Sequence, residues 1–307
     1  MSTKTPSIDD IGARTERYVQ TIKRGASSIR SVLAGERLAH VGITIIGVFT
    51  IIGLFGDQLI LHDPSAINRG ASGEVLRLAP PSAEHPFGTT DLGRDVFSQV
   101  VLGARVSLIV GIAAAIVSTV IGTNAALLAG YYGGHLDDLL MRAVDIAYAI
   151  PFLPFVIVLV FIFGSSIWNI ILVISLLMWR ASARVIRSEV LTHKQRPYVE
   201  SAEASGASDV RIMYRHILPN VLPLVGLYMA FGVAWGVIYE ASIAFLGFGD
   251  PDLYSWGSIL YEAYNSGAIR FAWWWVIPPG VCIMLFVMAV FFIGRSIEKI
   301  TNPDLRH

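Results

Sequence analysis

The chain has 307 residues, of which 54% are hydrophobic and 15% charged, with a mean hydropathy of +0.61 and a formal net charge of zero. Soluble domains carry about 25% charged residues, so this composition excludes an ordinary soluble domain and points to an integral membrane protein. A balanced charge gives no electrostatic basis for a nucleic-acid partner.

Residues 1–40 are polar and mixed in charge, with Lys23, Arg24, Arg30 and Arg37 making the latter half basic. They are expected to be partly helical and to lie on the cytoplasmic membrane surface. No short apolar core stands near the start, so no cleavable signal peptide is expected. A crossing needs about 20 mainly apolar residues, and residues 41–61 supply the first. Residues 62–95 hold Pro64, Pro80, Pro81 and Pro86, which argue for irregular structure.

A second crossing is expected over 106–132 and a third over 139–163, kinked by Pro151 and Pro154. Gly164-Ser165-Ser166 reads as a tight turn before a fourth crossing at 167–183. A polar loop at 184–220 leads to a fifth crossing at 222–247, and the sixth runs over 273–294. These elements define an all-α membrane domain of six crossings over 41–300, with a tail at 301–307. Cys282 lies in the last apolar run and has no second cysteine to pair with. With both termini inside, eighteen of the 23 Lys and Arg fall in inner segments and five in outer ones. That bias assigns both termini, and the 184–220 loop, to the cytoplasm.

No G-x-x-x-x-G-K-[ST] occurs, and Gly130-Tyr131-Tyr132-Gly133-Gly134 lacks the lysine a phosphate cradle needs. Nucleotide would therefore have to be bound by another chain. No H-E-x-x-H or Cys/His cluster is present, so no metal site is expected. Gly247-Phe248-Gly249-Asp250 matches the G-x-G-D string of intramembrane aspartyl proteases, but the Tyr-Asp pair that would supply the second carboxylate is missing.

Ionisable residues at membrane depth are costly and so are functional suspects. Glu240, with Phe245, is the candidate for lining a pathway near an outer gate; a hydrogen bond to a neighbouring helix is the favoured alternative for Glu240. Asp145 stands three residues after Arg142, spacing that suits a local ion pair. Gly232 and Gly236 form a G-x-x-x-G suited to close helix packing. On the outer side, Asp250, Asp252, Tyr254 and Trp256 are candidates for contact with a soluble partner, and Trp273-Trp274-Trp275 for interface anchoring.

The stretch from Tyr198 to Asn220 is the longest polar interval between apolar runs after residue 100. Its first half reads as a short helix. Ala202, Ala204, Ser205, Gly206 and Ala207 are small, so another surface can approach the backbone closely. A plain solvated linker is the alternative. Glu200-Ser201-Ala202, then Gly206, then Ile217-Leu218-Pro219 resembles the E-A-A…G…I-x-L-P loop of permease subunits of ATP-binding-cassette importers. Ser201 stands where that pattern has its first alanine and is nearly as small.

Further motifs extend the likeness. His85-Pro86-Phe87-Gly88-Thr89-Thr90-Asp91-Leu92-Gly93-Arg94-Asp95, Gly130 to Gly134 with Asp137 and Asp145, Glu240 to Gly249, and Ser255-Trp256-Gly257 resemble the dipeptide/oligopeptide/nickel permease family, in its second, "C-type" subunit. The resemblance covers about residues 38–307. It implies a multi-pass subunit of a prokaryotic inner membrane, in an importer with a second permease, two ATPases and an external substrate-binding protein. ATP and Mg would bind to the ATPases, with no cofactor and no catalysis in this chain. Glu200, Ser201, Ala202, Ala204, Gly206, Ala207, Ile217, Leu218 and Pro219 are the residues implied in ATPase coupling. Peptides are the implied cargo, with oligosaccharides or nickel chelates as alternatives in the same family. An ion-coupled secondary transporter is the reading from another class.

Overall fold

The computed structural model describes residues 37–301. The expectations for the N-terminal segment and the last six residues lie outside the described part, apart from the 37–40 end of that segment, which is helical.

The chain runs through α1 (Arg37–Leu59), α2 (Val96–Tyr132), α3 (Gly134–Ala149), α4 (Phe152–Phe163), α5 (Ile167–Lys194) and α6 (Pro197–Ala204). It continues through α7 (Asp209–Phe248), α8 (Trp256–Asn265) and α9 (Trp273–Thr301). Five of these, α1, α2, α5, α7 and α9, are each long and apolar enough to cross a membrane. The pair α3–α4 makes up to a sixth span, bent by 93° at its break.

That bend is sharper than the expected kink. Proline disfavours the helical conformation of the residue before it, and Ile150 is extended (φ −82°, ψ 126°) ahead of Pro151. Pro154 falls in the first turn of α4, where backbone N–H groups have no helical acceptor to lose.

α2 starts ten residues before the uncharged run expected to define it. Asp95 caps its first turn, accepting a hydrogen bond from the Ser98 N–H at 2.8 Å. Arg105 lies inside the helix and is satisfied by α1, through the Gly53 carbonyl at 2.9 Å and Asp57 at 2.7 Å. A charge paired across a helix contact does not end a helix.

At 1.5 Å per residue, α2, α5 and α7 are about 55, 40 and 60 Å long, against a hydrocarbon thickness of about 30 Å. α7 therefore takes up the second half of the interval read as a loop. α2 is the central helix, with 56% of its most apolar window buried. Gly236 of α7 meets α2 at Gly111, where a Cβ would stand 2.8 Å from the Gly111 carbonyl oxygen, and Gly232 meets Ala115. The G-x-x-x-G thus faces a matching pair of small residues, which lets the two backbones touch. On the periphery, Leu54, Phe161 and Trp168 are exposed, as lipid-facing positions would be.

Candidate functional site

The ends of α2 and α5 and the start of α7 are tied together, and α6 packs on the first turns of α7. Lys194 at the end of α5 donates to the Tyr131 carbonyl of α2 at 2.6 Å, and the Tyr131 hydroxyl donates to Asp209 of α7 at 3.0 Å. α6 begins with Pro197 in the first turn, behind an extended Arg196. Val199 and Ala202 point inward onto Ile186, Val190, Ile212, Met213 and Ile217. A turn of π-helix at Ile212–Ile217 brings those last three to the same buried side.

The helix ends in a Schellman motif. Gly206 adopts φ +75°, its N–H bonds the Glu203 carbonyl at 2.9 Å, and the Ala207 N–H bonds the Ala202 carbonyl at 3.1 Å. A Cβ at Gly206 would meet nothing within 4 Å, so its φ, not crowding, asks for glycine.

The residues singled out here divide into two sets. Glu200, Ser201, Ala204 and Gly206 are exposed, as is Pro219. Ser201, Ala202, Gly206 and Ala207 border a shallow groove of about 360 Å³ with Tyr198, Arg211 and His216. Ile217 is fully buried and Leu218 half-buried, so Ile217 supports the site from behind and cannot touch a partner. Burial pushes the Tyr198 hydroxyl pKa above its ordinary value, with Arg196 pulling against it.

On the opposite end, the outer candidates are rearranged. Trp256 is buried completely, its indole N–H donating to the Val100 carbonyl at 3.1 Å and its ring set edge-on to Phe49 at 5.3 Å. It is a core residue and not a partner contact. Tyr254 is half-buried, its hydroxyl against the Pro64 carbonyl and Ser65. The Asp250 carboxylate accepts from the Ile167 N–H at 3.0 Å at the start of α5, a capping role that accounts for an acidic residue after the two glycines. Asp252 is exposed. Asp250, Asp252 and Tyr254 border a cavity of about 520 Å³ at this end with Arg94, Tyr261 and Glu262. Among the three consecutive tryptophans, Trp273 is exposed, Trp274 donates to the Thr89 carbonyl at 3.4 Å, and Trp275 is buried. Only Trp273 is free to act as an interface anchor.

Glu240 is buried and accepts a hydrogen bond from Ser107 of α2 at 3.0 Å. Phe245 packs its ring on Tyr264, centroids 5.6 Å apart. Asp145 pairs with Arg184 of α5 and not with Arg142, because α3 lies alongside α5 and the cross-helix partner is nearer. Asp137 likewise pairs with Arg187. One ligand atom each from His62, Glu84 and His85 lie within 4.8 Å of one another. His85 Nδ1 is held by the Asp95 carboxylate at 2.9 Å, and His62 Nε2 by the Glu84 carbonyl at 3.0 Å. His62 is remote from the other two in sequence, so no local motif marks the group.

Among the apolar spans, a cavity of about 250 Å³ opens between α2, α3, α4, α5 and α7. Tyr148, Phe152, Tyr228, Phe231, Trp235 and Tyr239 line it, together with Arg180. Neither Glu240 nor Phe245 does. In the charge pattern of the sequence, Arg180 stands only as one of the inner-side charges. The available signal was its position thirteen residues into a run that is otherwise uncharged from Ile167 to Ala183.

The described residues thus form a helical bundle of up to six apolar spans, with an internal cavity and a short helix, α6, packed at the start of α7. The chain belongs to the family described as the binding-protein-dependent transport system inner membrane component, which it matches over residues 122–307. It is 34% identical to a dipeptide transport system permease protein of Alkalihalophilus pseudofirmus, over 89% of this chain and 88% of that one. An oligopeptide transport system permease protein of Bacillus subtilis is 32% identical over 88% and 87% of the two chains. A glutathione transport system permease protein of Pectobacterium atrosepticum is 37% identical over 74% and 75%. Among solved structures, a chain of the inward-facing MetNI methionine ABC transporter matches with a TM-score of 0.52 at 20% identity, covering 66% of this chain and 96% of that one. That likeness is one of fold. The chain is thus a multi-pass permease component of a transport system, a role that is not itself catalytic.

Proposed function

We propose that this chain is the C-type permease of an ATP-driven importer of peptides, and that α6 is the element through which two partner ATPases move it. The printed functions of the relatives, dipeptide, oligopeptide and glutathione transport, support peptide cargo. Oligosaccharides and nickel chelates are the alternatives within the same family.

The observation that carries the coupling reading is the build of α6. Two inward residues fix it to the converging ends of α2, α5 and α7, and its other face presents Glu200, Ser201, Ala204 and Gly206 to solvent. A rigid short helix with small exposed residues can enter a cleft in another protein and transmit a push to three spans at once. ATP and Mg would be held by the ATPases, since this sequence has no phosphate-binding loop. The excess of Lys and Arg on the α6 side of the sequence supports a cytoplasmic α6 and cytoplasmic termini. A second permease would complete the pathway, and a binding protein would deliver cargo to the outer surface around Asp252.

ATP binding would close the ATPase pair and carry α6 with it. The permease would then pass from inward-open to outward-open. This requires that one permease conformation bind the closed ATPases better than the other. Glu200→Arg and Gly206→Arg in the reconstituted importer test the reading. Both are expected to leave the permease inserted and to separate ATP hydrolysis from uptake. Normal uptake in both would refute the coupling role.

A further inference from the structure

The cavity between α2, α3, α4, α5 and α7 holds one cation, Arg180. Arg180 lies about 20 Å along α5 from Ile167, within a helix long and apolar enough to cross a membrane. Among the described residues it has no ion-pair partner. One N–H donates to the Ala147 carbonyl at 2.7 Å. A guanidinium has five such donors, so most of its hydrogen-bonding capacity is unspent. A charge at this depth is expensive unless it meets an opposite charge or a water-filled path.

The surroundings hold the guanidinium in place without neutralising it. Its carbon stands 4.8 Å from the Tyr148 ring centroid and 5.6 Å from that of Phe152. Phe152 stacks on Tyr239 at 3.8 Å, and Tyr239 on Trp235 at 5.6 Å. Cation–π contact with the first two rings fixes the charge at the mouth of this aromatic wall. The cavity, about 250 Å³, is smaller than an ordinary whole-ligand pocket of about 300–1,000 Å³, as one half of a site shared with a second subunit would be.

Resting on the peptide reading, we infer that Arg180 binds the C-terminal carboxylate of a peptide in transit while the aromatic wall takes its side chains. An arginine fork matches a carboxylate in two parallel hydrogen bonds, which are among the stronger ones a protein makes. Aromatic surfaces tolerate many side chains, since contact with a ring face needs no particular hydrogen-bond pattern. A free C-terminus is common to peptides of every sequence, so recognising it there is compatible with broad cargo. A carboxylate of the second permease and a lipid phosphate are the rival occupants.

The test uses the complete reconstituted importer and two probes, trialanine and trialanine amide, each supplied at saturation with binding protein. The readout is the ratio of maximal uptake of the free acid to that of the amide. Binding-protein preference enters this ratio equally for wild type and variant. Arg180→Gln is expected to lower the ratio about tenfold, the scale of one lost charge-assisted hydrogen-bonding pair. Arg180→Lys, which keeps the charge but loses the fork, is expected to lower it less and serves if the glutamine variant fails to assemble. An unchanged ratio alongside normal wild-type peptide uptake overturns this inference alone. Loss of the second permease from the purified complex in both variants also overturns it, by assigning Arg180 to that subunit, as does a ratio that shifts only with the lipid phosphate content of the vesicles. Wild type that takes up neither probe overturns the peptide reading and this inference with it.

Discussion

Ser107 of α2 donates its hydroxyl hydrogen to the Glu240 carboxylate of α7 at 3.0 Å, and its oxygen accepts from the Trp256 N–H at 3.3 Å. One small side chain thus ties a buried acid to a neighbouring helix and to the start of α8. Ser107→Ala leaves both groups buried without that partner, and is expected to cost about 1–3 kcal/mol. Glu240→Gln keeps an acceptor and is expected to cost less and to preserve uptake. Unfolding in detergent checks the first value. A larger loss of uptake than of stability in Glu240→Gln would restore the outer-gate alternative.

Trp256→Ala is expected to destabilise the permease by about 3–5 kcal/mol, the usual cost of removing a buried aromatic, because the ring fills the space between Phe49 and Phe286. The affinity of any folded fraction for the binding protein is expected to be unchanged. Asp252→Lys, at an exposed position, is expected to do the reverse. Titration of the two variants with loaded binding protein distinguishes them.

Gly236→Val places a branched side chain where even a Cβ would stand 2.8 Å from the Gly111 carbonyl. The α2–α7 contact must open, and a cost of about 1–3 kcal/mol or more is expected from overpacking. Gly226→Val, on the same helix with nothing within 4 Å of a Cβ, is the control and is expected to be tolerated. Equal melting temperatures for the two variants would contradict the packing assignment.

Glu262, in α8, carries a pH signature. Burial pushes its carboxyl pKa above the ordinary 4.5, Arg94 pulls it back, and Asp91 adds to the rise. The folded state therefore holds this proton more tightly than the unfolded state. Its contribution to stability is complete below about pH 4.5 and is lost as the pH rises through the folded value. The melting temperature of Glu262→Gln minus that of wild type is expected to be larger at pH 8 than at pH 4. A difference independent of pH would contradict the assignment.

The crossings were legible because a membrane helix announces itself by a long apolar run. Their ends were not, because the sequence shows charges without their partners: Arg105 hides the first turns of α2 by pairing with α1, and the polar start of α7 looks like loop. The short helix α6 was legible from small residues closed by Gly206, whereas its attachment through Val199, Ile212, Met213 and Ile217 depends on a π turn that no pattern of 3.6 residues foretells. Trp256 was misjudged from its polar neighbours, since local polarity says little about a side chain that turns inward between helices distant in sequence. Arg180 and its rings come from α3, α4, α5 and α7, and only the fold assembles them.

The central claim is that α6 sits against an ATPase. Ala204→Cys, at an exposed position on α6, with Cys282 replaced by serine, provides the most direct measurement: treatment of the assembled importer with a short bifunctional maleimide. The account predicts a cross-linked product of this permease and an ATPase subunit, whose yield changes when ATP is added. A product with the binding protein, or no product with the ATPase in a complex that still transports, would contradict it.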